Sequence, residues 1–589
     1  MLFRLIFSVA ATAILTEAND CRCRPYEDCW PSNQQWQALN TSIQGNLLGV
    51  RPIAAVCHDP NFDPASCQEV TAEWTNSTWR AVQPGAVQWE NWEAWPEQNQ
   101  SCYIENSRQE PCGQGRISLY SAVVQNEAHI QQAVRFAGQH NLRLAVKSSG
   151  HDTSGRSSSP YSLQILTNRL KDIKFVNNFV PDGSKEDQAE GPAVIIGSGV
   201  SLQEIYAAAS GRGLVVIGGT AHTVGIAGGY IQGGGHSMLG PWKGMGSDQA
   251  LEFRVVVANG DLLTANKYQN QDLFWALRGG GGGTFGVVVS VTVHTFPDVP
   301  LVMSSLNISA DAGPNFWPAV TAFHTHLPAF NDAGGGGYYF ITASPPINNS
   351  ESTLALTVDF YFANETDTTK INTLFAPLVS ILKNMTGIAT EYGTIAVPRV
   401  ANAYQTLLPG DSDTTGNIAM GGSRLFSRDL LMSDGGGARL TDAVSRLRLD
   451  PEEEMIGIVV AGGAVAANGA TVDSSLNPAW RRTIIHFVFE RTFSPNATLA
   501  EQNAVRDNVT NVEVPLLRAV EGPDSHMGAY LNEANPYETD FQSSFWGENY
   551  PRLYHIKQQW DPQGLFIVRR GVGSEDWDDE GLCRTSYET

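Results

Sequence analysis

The chain of 589 residues is 42% hydrophobic and 17% charged, which is typical of a globular protein of roughly two to four domains and excludes a disordered chain. Its 60 acidic and 38 basic residues give a formal net charge of −22, so neither nucleic acid nor an anionic membrane surface is an expected partner. The 57 glycines exceed average usage, and many of them fall in a few loops.

The first 18 residues have the pattern of a secretory signal. Arg4 stands in a short positive region, an apolar run follows from Phe7 to Leu15, and Ala18 ends a small-residue cleavage site. No other stretch has 18 consecutive apolar residues, so no membrane span is expected in the mature chain. Nine N-x-S/T sequons also favour a secreted glycoprotein, at Asn40, Asn76, Asn99, Asn307, Asn348, Asn364, Asn384, Asn496 and Asn508.

The eight cysteines agree with that compartment. Seven lie within residues 21–112, and Cys583 stands near the far end. An even number in a secreted chain predicts disulfides, whose connectivity the sequence leaves open. Zinc is disfavoured because Cys21-x-Cys23 has no matching second pair, and no metal site is predicted.

Residues 19–114 are rich in cysteine and tryptophan and lack a strong periodicity, which predicts a disulfide-tied N-terminal wrap. Its aromatic side chains are expected to fill space beneath a long loop. A lectin face is the alternative use of the tryptophans Trp79, Trp89, Trp92 and Trp95.

A polar turn, Lys147–Gly155, follows a helix-like stretch from Asn126 to His140 and a strand-like run from Leu142 to Val146. Such a glycine-flanked turn lets backbone N–H groups approach a phosphate and places the imidazole of His151 beside the bound group. The plain alternative is a surface turn in which Asp152 accepts backbone hydrogen bonds.

The next elements are a strand at Ala193–Ile196 and a helix whose capping box begins at Ser201. The following strand, Leu214–Ile217, leads directly into Gly218–Gly229, and Gly233–His236 follows. Such glycines are needed where φ is positive or where a ligand comes too close for a Cβ. A flexible linker is the alternative, but linkers seldom carry Val, Ile and His between glycines.

A second glycine run resembles a dinucleotide fingerprint only formally. Gly281-x-Gly283-x-x-Gly286 follows a predicted helix, Asp272–Arg278, and precedes a predicted strand, Val287–Phe296. The fingerprint requires strand before helix, so a Rossmann site is rejected.

From about residue 300 to 500 the pattern changes to long alternating strands separated by helices. Thr353–Phe362 and Arg482–Glu490 show the alternation, and Lys370–Met385 is an intervening helix. This predicts an antiparallel sheet with one face covered. The last 80 residues return to helix, with Leu553, Ile556 and Trp560 at helical spacing.

Residues 115–299 resemble the FAD-binding domain of the vanillyl-alcohol-oxidase superfamily, and within it the berberine-bridge-enzyme-like oxidoreductases. The cysteine-rich front and the closing Val572–Trp577 are similar to secreted fungal members, which include isoamyl alcohol oxidase-like and secondary-metabolite tailoring enzymes. The segments that carry the resemblance are Lys147–Asp152, Gly219–Gly229, Gly233–His236, Asp272–Gly286, Tyr530–Asn532, Asn549–Leu553 and Asp561-Pro562.

The resemblance implies an α+β fold with a two-part PCMH-type FAD domain and a substrate domain whose large antiparallel sheet is backed by helices. The expected divisions are a signal at 1–18, the wrap at 19–114, the FAD domain at 115–299, the substrate domain at 300–510, and a C-terminal segment at 511–589 that returns to the FAD domain.

The resemblance also implies covalent attachment of FAD through His151. Many family members carry a second link from a cysteine, but Ala221 stands at that position, so a single link is expected. His222 and His236 are expected to make backbone hydrogen bonds in the flavin loops. The full predicted cofactor-binding set is Lys147, Ser148, Ser149, Gly150, His151, Asp152, Gly155, Gly219, Thr220, Ala221, Thr223, Val224, Gly225, Gly228, Gly229, Gly235, His236, Tyr530 and Asn532.

The expected activity is oxidation of an alcohol or other small molecule with reduction of O₂ to H₂O₂. Oxygen-reactive relatives carry a small aliphatic residue where Val224 stands, which favours an oxidase over a dehydrogenase. The alternative is a structural flavin in a protein that binds a ligand or guides a non-redox cyclisation. Substrate identity and oligomeric state are left open.

The sequence identifies no catalytic base. Related enzymes place a Glu or Tyr on a substrate-domain strand, but the matching region, Gly462–Ser475, offers only Asp473. His486 shares a strand face with Ile484, Val488 and Glu490. Its expected role is that of a satisfied core histidine, and the alternative is that it points at the flavin ring. Tyr338 and Tyr339 are further candidates.

Overall fold

The computed structural model describes residues 21–585 except 312–314, 346–352, 408–409, 411–412, 414, 452 and 524. The predicted signal segment and the sequon at Asn348 therefore lie outside the described residues. Within the described part, no helix combines the length and the apolar character needed to span a bilayer.

Two sheets build the part of the chain that carries the glycine-rich loops. In the first, the order is β1-β2-β4-β3, with β2, β4 and β3 parallel. In the second, the order is β5-β6-β10-β8-β9, and every pair is antiparallel. The strands, with a small pair formed by β7 and β11, are β1 Leu47–Gly49, β2 Tyr120–Val123, β3 Arg143–Lys147, β4 Ser162–Leu166, β5 Ile173–Val176, β6 Ala193–Gly197, β7 Leu214–Val215, β8 Ala250–Val256, β9 Leu262–Asn266, β10 Val287–His294 and β11 Phe296–Pro297.

A third sheet holds seven strands in the order β15-β12-β14-β13-β17-β18-β16, all antiparallel. The large antiparallel sheet and the α+β class are thus confirmed. The strands are β12 Leu301–Asp311, β13 Gly335–Ser344, β14 Thr353–Ala363, β15 Ala389–Val397, β16 Ala419–Ser427, β17 Glu454–Val459 and β18 Thr483–Thr492.

The helices include the predicted stretch after Asn126, whose side chain accepts a hydrogen bond from the N–H of His129 and so caps the helix. The capping box at Ser201 is also formed. The α-helices are α1 Asn33–Ser42, α2 Pro64–Glu73, α3 Ser77–Val82, α4 Glu127–Gln139, α5 Leu202–Ser210, α6 Gly240–Lys243, α7 Gln271–Ala276, α8 Phe316–Asp332, α9 Thr368–Lys383, α10 Val400–Leu407, α11 Arg428–Met432, α12 Gly436–Ser445, α13 Gly463–Asn468, α14 Leu499–Asn508, α15 Val514–Glu521, α16 Phe541–Trp546 and α17 Tyr550–Trp560.

The two faces of the third sheet have different roles because successive side chains of a strand point to opposite sides. Tyr339 on β13 and Phe487 on β18 belong to the core formed with α8, α9 and α12. Their neighbours Tyr338 and Val488 point to the other side, toward the glycine-rich loops. That second face forms one wall of the cavity described below.

The N-terminal wrap contains three helices, α1 to α3, that the periodicity did not predict. Each begins at a capping residue: Ser32 forms a capping box with Gln35, and Asp63 and Asn76 accept hydrogen bonds from backbone N–H groups. Capping hydrogen bonds stabilise the first turn of each of these short helices, and the bridge from Cys67 to Cys57 also holds α2. Capping signals therefore located them better than hydrophobic spacing.

All eight cysteines are paired, which confirms the predicted disulfides. Three bridges close short loops in the wrap, and the fourth joins the two ends of the described chain. The pairs are Cys21–Cys583, Cys23–Cys29, Cys57–Cys67 and Cys102–Cys112.

Replacing both Cys21 and Cys583 with serine is expected to destabilise the protein by about 5 kcal/mol, because this bridge closes the longest loop in the chain, with a sequence separation of 562. Replacing Cys57 and Cys67, separated by 10 residues, is expected to cost about 3 kcal/mol. Thermal unfolding followed by circular dichroism measures both. Equal melting temperatures for the two double variants would contradict the loop-length explanation.

Candidate active site

The first loop of the site follows β3 and contains His151. Gly150 has φ +77, and a Cβ there would lie 2.9 Å from Cε of Lys147 and 3.2 Å from Cα of Val87, so the turn requires glycine. Ser148 Oγ donates to the carbonyl of Ser198 at 2.8 Å, which ties this loop to the second sheet. The loop is thereby fixed, with His151 partly exposed at the cavity.

The carboxylate of Asp413 lies between the second glycine-rich loop, which contains His222 and Thr223, and the first loop, which contains His151. Asp413 accepts from the backbone N–H of His222 at 3.0 Å and from that of Thr223 at 3.3 Å, and it pairs with Nδ1 of His222 at 2.8 Å. Oδ2 of Asp413, the oxygen that accepts from Thr223, lies 4.0 Å from Nε2 of His151. Removal from solvent lowers the pKa of His151, although Asp413 opposes that shift. His151 is therefore a neutral imidazole at pH 7.

The C-terminal segment forms a third side of the site, next to the two loops. The N–H of Gly235 donates to the hydroxyl oxygen of Tyr530 at 3.3 Å. Nδ2 of Asn532 donates to the carbonyl of Gly229 at 3.0 Å and to Tyr530 Oη at 2.8 Å. These hydrogen bonds join residues 295 and 303 positions apart around one space.

That space is a cavity of about 410 Å³ between the loops and the third sheet. Most of the predicted cofactor-binding residues line it: Ser148, Ser149, Gly150, His151, Asp152, Gly219, Thr220, Ala221, Val224, Gly225, Gly228, Gly229, His236, Tyr530 and Asn532. Residues of the third sheet complete the wall, among them Tyr338, Phe340, Ile456, Ile458, Val488 and Glu490.

The loop wall fits a large polar group. A Cβ on Gly229 would meet nothing within 4 Å, so the backbone there borders open space that a side chain would take up. Ser198 Oγ and Gln232 Oε1 are buried, border the cavity, and have no hydrogen-bond partner among the described residues. Buried polar atoms are normally paired, so both are positioned to bond a polar ligand.

The sheet wall presents one carboxyl group, Glu490, among apolar side chains. It projects from β18 on the same face as Val488, and the described residues form no ion pair with it. Burial, together with repulsion from Glu454 and Glu533, raises the pKa of Glu490 to about 7. A carboxyl group with this pKa can accept a proton near neutral pH.

A second acidic cluster lies where the C-terminal segment meets the sheet. Glu533 accepts from Nε2 of His236 at 2.9 Å and from Nε2 of His486 at 2.8 Å. Burial alone would raise the pKa of Glu533, but its contacts with the two imidazoles hold that pKa well below its usual range. Burial lowers the pKa of His486. Glu533 is therefore ionised.

Comparison with known proteins shows the family to which the chain belongs. Residues 119–266 match the family model described as "FAD binding domain", and residues 529–573 match "Berberine and berberine like". An FAD-linked oxidoreductase from Arthroderma benhamiae is 49% identical over 586 residues, covering 98% of each chain.

This chain is an FAD-linked oxidoreductase of the vanillyl-alcohol-oxidase and berberine-bridge-enzyme-like family.

Solved structures agree. The VAO-type flavoprotein MtVAO615 from Myceliophthora thermophila C1 superposes with a TM-score of 0.84 at 32% identity, covering 96% of this chain and 100% of that one. A glucooligosaccharide oxidase from Acremonium strictum, whose FAD is 6-S-cysteinyl, 8α-N1-histidyl, shares the fold with a TM-score of 0.60 at 18% identity, over 77% of this chain and 91% of that one.

Four of the residues predicted to bind FAD do not line the cavity of this FAD-linked oxidoreductase. Lys147 is fully buried and turned to the wrap, where its ammonium donates to the carbonyls of Arg80, Gln83 and Ala86. The other three support the loops from behind: Gly155 faces the Trp92 ring, Thr223 bonds Asp413, and Gly235 bonds Tyr530.

The candidates for a catalytic base differ in whether their side chains line the cavity. Tyr338 lines the cavity, whereas Tyr339 lies in the core and bonds Nε2 of His324 at 3.0 Å. Asp473 lies outside the cavity and accepts from Nε1 of Trp275 at 2.7 Å. His486 is fully buried against Glu533, in keeping with a core role.

Asp413 and Glu533 were not identified from the sequence, and Glu490 was not recognised there as a candidate base. Glu490 carried a usable signal, since a carboxylate at an inward position of an apolar strand is unusual. Glu533 had another, as it directly follows Asn532 in a segment already assigned to the flavin. Asp413 had no such signal in the sequence, because only the fold brings its loop to His151.

Proposed function

We propose that the protein is an oxidase that holds FAD covalently in the cavity and oxidises a small molecule against the third sheet. The observation that carries this is the single cavity in which His151, the glycine loops and Glu490 meet. We assign the FAD domain to residues 115–299, the substrate domain to 300–510, and the returning segment to 511–589.

The residues that would hold FAD are the cavity-lining members of the predicted set, with Ser198 and Gln232 added by the structure. His151, neutral and beside a carboxylate, has a free lone pair for a bond to carbon. Ala221 offers no second attachment, and every cysteine is in a disulfide. This supports a single link.

When bound, the flavin supplies a two-electron acceptor that takes a hydride from substrate carbon. Glu490 would accept the proton that the substrate hydroxyl or amine releases, since its pKa of about 7 allows it to be ionised at neutral pH. Ile456, Ile458 and Val488 would exclude water around that carboxylate. The non-redox alternative was open because no catalytic base had been identified from the sequence, and Glu490 would supply that base.

Reoxidation by O₂ is supported by Val224, whose small side chain borders the cavity. Substrate added without air should bleach the purified yellow protein, and admitting air should restore the colour with one H₂O₂ released per substrate oxidised. A screen of alcohols, sugars and amines supplies the substrate. A protein that bleaches but stays reduced in air is a dehydrogenase, and one that no substrate bleaches is not a redox enzyme.

The protein would act outside the cell, as the disulfides, the sequons and the predicted signal favour. Mass spectrometry of protein secreted by a fungal host should find Asn19 as the first residue, and treatment with a peptide N-glycosidase should lower the mass. A mature chain that begins at Met1 would contradict the signal.

A further inference from the structure

One residue of the N-terminal wrap, Gln88, holds the turn that carries His151. Its backbone N–H donates to the carbonyl of Gly150 at 3.1 Å, and its side-chain Nε2 donates to the carbonyl of Ser149 at 3.1 Å. These are the two residues directly before the histidine. Gln88 is fully buried, and the same Nε2 also donates to the carbonyl of Ser77 within the wrap at 3.0 Å. The backbone of the turn is therefore tied to the wrap.

The carbonyl of Gln88 faces the segment that carries Asp413. The N–H of Gly416 donates to this carbonyl at 2.9 Å, and the hydroxyl of Thr415 donates to the same oxygen. The N–H of Asp413 donates to Oγ of Ser77, the first residue of α3, at 2.9 Å. Because Oδ2 of this aspartate lies 4.0 Å from the imidazole of the turn, the wrap holds both the turn and the carboxylate next to it.

Further contacts hold the turn after His151 and at its start. Nε1 of Trp92, another wrap residue, donates to the carbonyl of Thr153 at 2.9 Å. A Cβ on Gly155 would collide with the same indole ring. At the other end, the ammonium of Lys147 donates to three carbonyls of the wrap. The wrap thus fixes the turn on both sides of the histidine.

We infer that the N-terminal wrap is part of the flavin-attachment site, with Gln88 as a positioning residue that holds the imidazole of His151 where the bond forms. This inference rests on the proposed function, since it takes covalent attachment through that histidine as given. A misplacement of about 1 Å can slow a reaction between positioned groups by about 10²-fold. The hydrogen bonds from the wrap supply the rigidity that this step needs.

Gln88 makes and breaks no bond in the attachment. The step breaks the N–H bond of the neutral His151 ring and one C–H bond of the flavin, and it forms an N–C bond. The two protons and two electrons reduce the flavin ring, and O₂, the acceptor in the proposed function, then takes them as H₂O₂. Loss of the Gln88 amide should therefore slow attachment without preventing FAD from binding in the cavity.

Gln88→Met tests this, because methionine is similar in length but has no amide donor. The secreted full-length protein is isolated by gel filtration, and acid precipitation then separates attached flavin from flavin held by contacts alone. We expect the wild type to keep nearly all of its flavin in the pellet. Gln88→Met should release at least half of its flavin, while the total flavin per chain stays close to that of the wild type. A Gln88→Met pellet that keeps all of its flavin would overturn the inference.

Gln114→Met is the matched control within the wrap. Nε2 of Gln114 also donates to three backbone carbonyls, none of which belongs to the His151 turn: Val50, Ile117 and Ser118. Both variants lose the same kind of donor, so both should lower the melting temperature, but only Gln88→Met should release flavin in acid. Equal released fractions in the two variants would indicate a general loss of stability and overturn the positioning role.

Hydrogen exchange distinguishes a failure of this inference from a failure of the proposed function. The amides of residues 148–155 should exchange at least tenfold faster in Gln88→Met than in the wild type, and at the wild-type rate in Gln114→Met. A wild-type protein that releases all of its flavin in acid would overturn covalent attachment, and with it the attachment role of Gln88. A wild type with attached flavin, whose turn exchanges at one rate in all three proteins, would overturn the inference alone.

Discussion

Replacing His151 with alanine is expected to release all flavin from acid-precipitated protein, whereas the wild-type pellet stays yellow. His151 borders the cavity, and the described residues offer no second attachment, because Ala221 has no nucleophile and all cysteines are paired. Acid unfolds the chain and frees any group held by contacts alone. The absorbance of pellet and supernatant near the flavin bands measures the difference directly.

The matched control is His555→Ala, which removes an exposed imidazole from α17 at a site away from the cavity. Its pellet should stay yellow. Mass spectrometry of tryptic peptides should find the flavin on the peptide that contains His151. A wild-type pellet without colour, or a His151→Ala pellet that keeps it, would show that the attachment is absent or lies elsewhere.

Replacing Glu490 with glutamine is expected to lower kcat by about 10²- to 10⁴-fold, the usual contribution of a general base. The flavin content and the melting temperature should change little, since Glu490 is not tied into an ion pair of the described structure. In the wild type, kcat/KM should rise with pH and level off above about 7, because Glu490 must lose its proton to act and its pKa is raised to about 7.

Glu454→Gln is the control for this second prediction. Glu454 contributes to the raised pKa of Glu490 by repulsion, so its removal should shift the midpoint of the pH profile downward and leave the plateau rate close to that of the wild type. A Glu490→Gln enzyme that keeps most of its activity would show that another group accepts the proton, with Tyr338 the first candidate.

Local features of this chain were predictable from sequence where a short-range rule applies. The capping residues Asn126 and Ser201 fix helix starts within one turn, and both were located correctly. The period of two in β18 places His486 and Glu490 on one face, and the structure agrees: His486 bonds Glu533, a cavity-lining residue, and Glu490 lines the same cavity. The glycine loops were recognised because their composition reflects close backbone approach, which is also a local property.

What escaped prediction depends on contacts between distant segments. Glu533 meets His236 across 297 positions and His486 across 47, and no local pattern records such a meeting. The same holds for Lys147, which was assigned to the flavin by its motif but bonds the wrap. A motif predicts which loop a residue belongs to. The direction in which its side chain points depends on tertiary packing.

The route by which the C-terminal segment returns to the loops sets an order of events during biosynthesis. Tyr530 and Asn532 form one side of the cavity, and Cys583 must find Cys21 across nearly the whole chain. A ribosome-bound chain that ends before residue 529 lacks this side. The complete cavity wall therefore exists only after the C-terminal segment has been synthesised, and the Cys21–Cys583 bridge can form only after that, when Cys583 has followed.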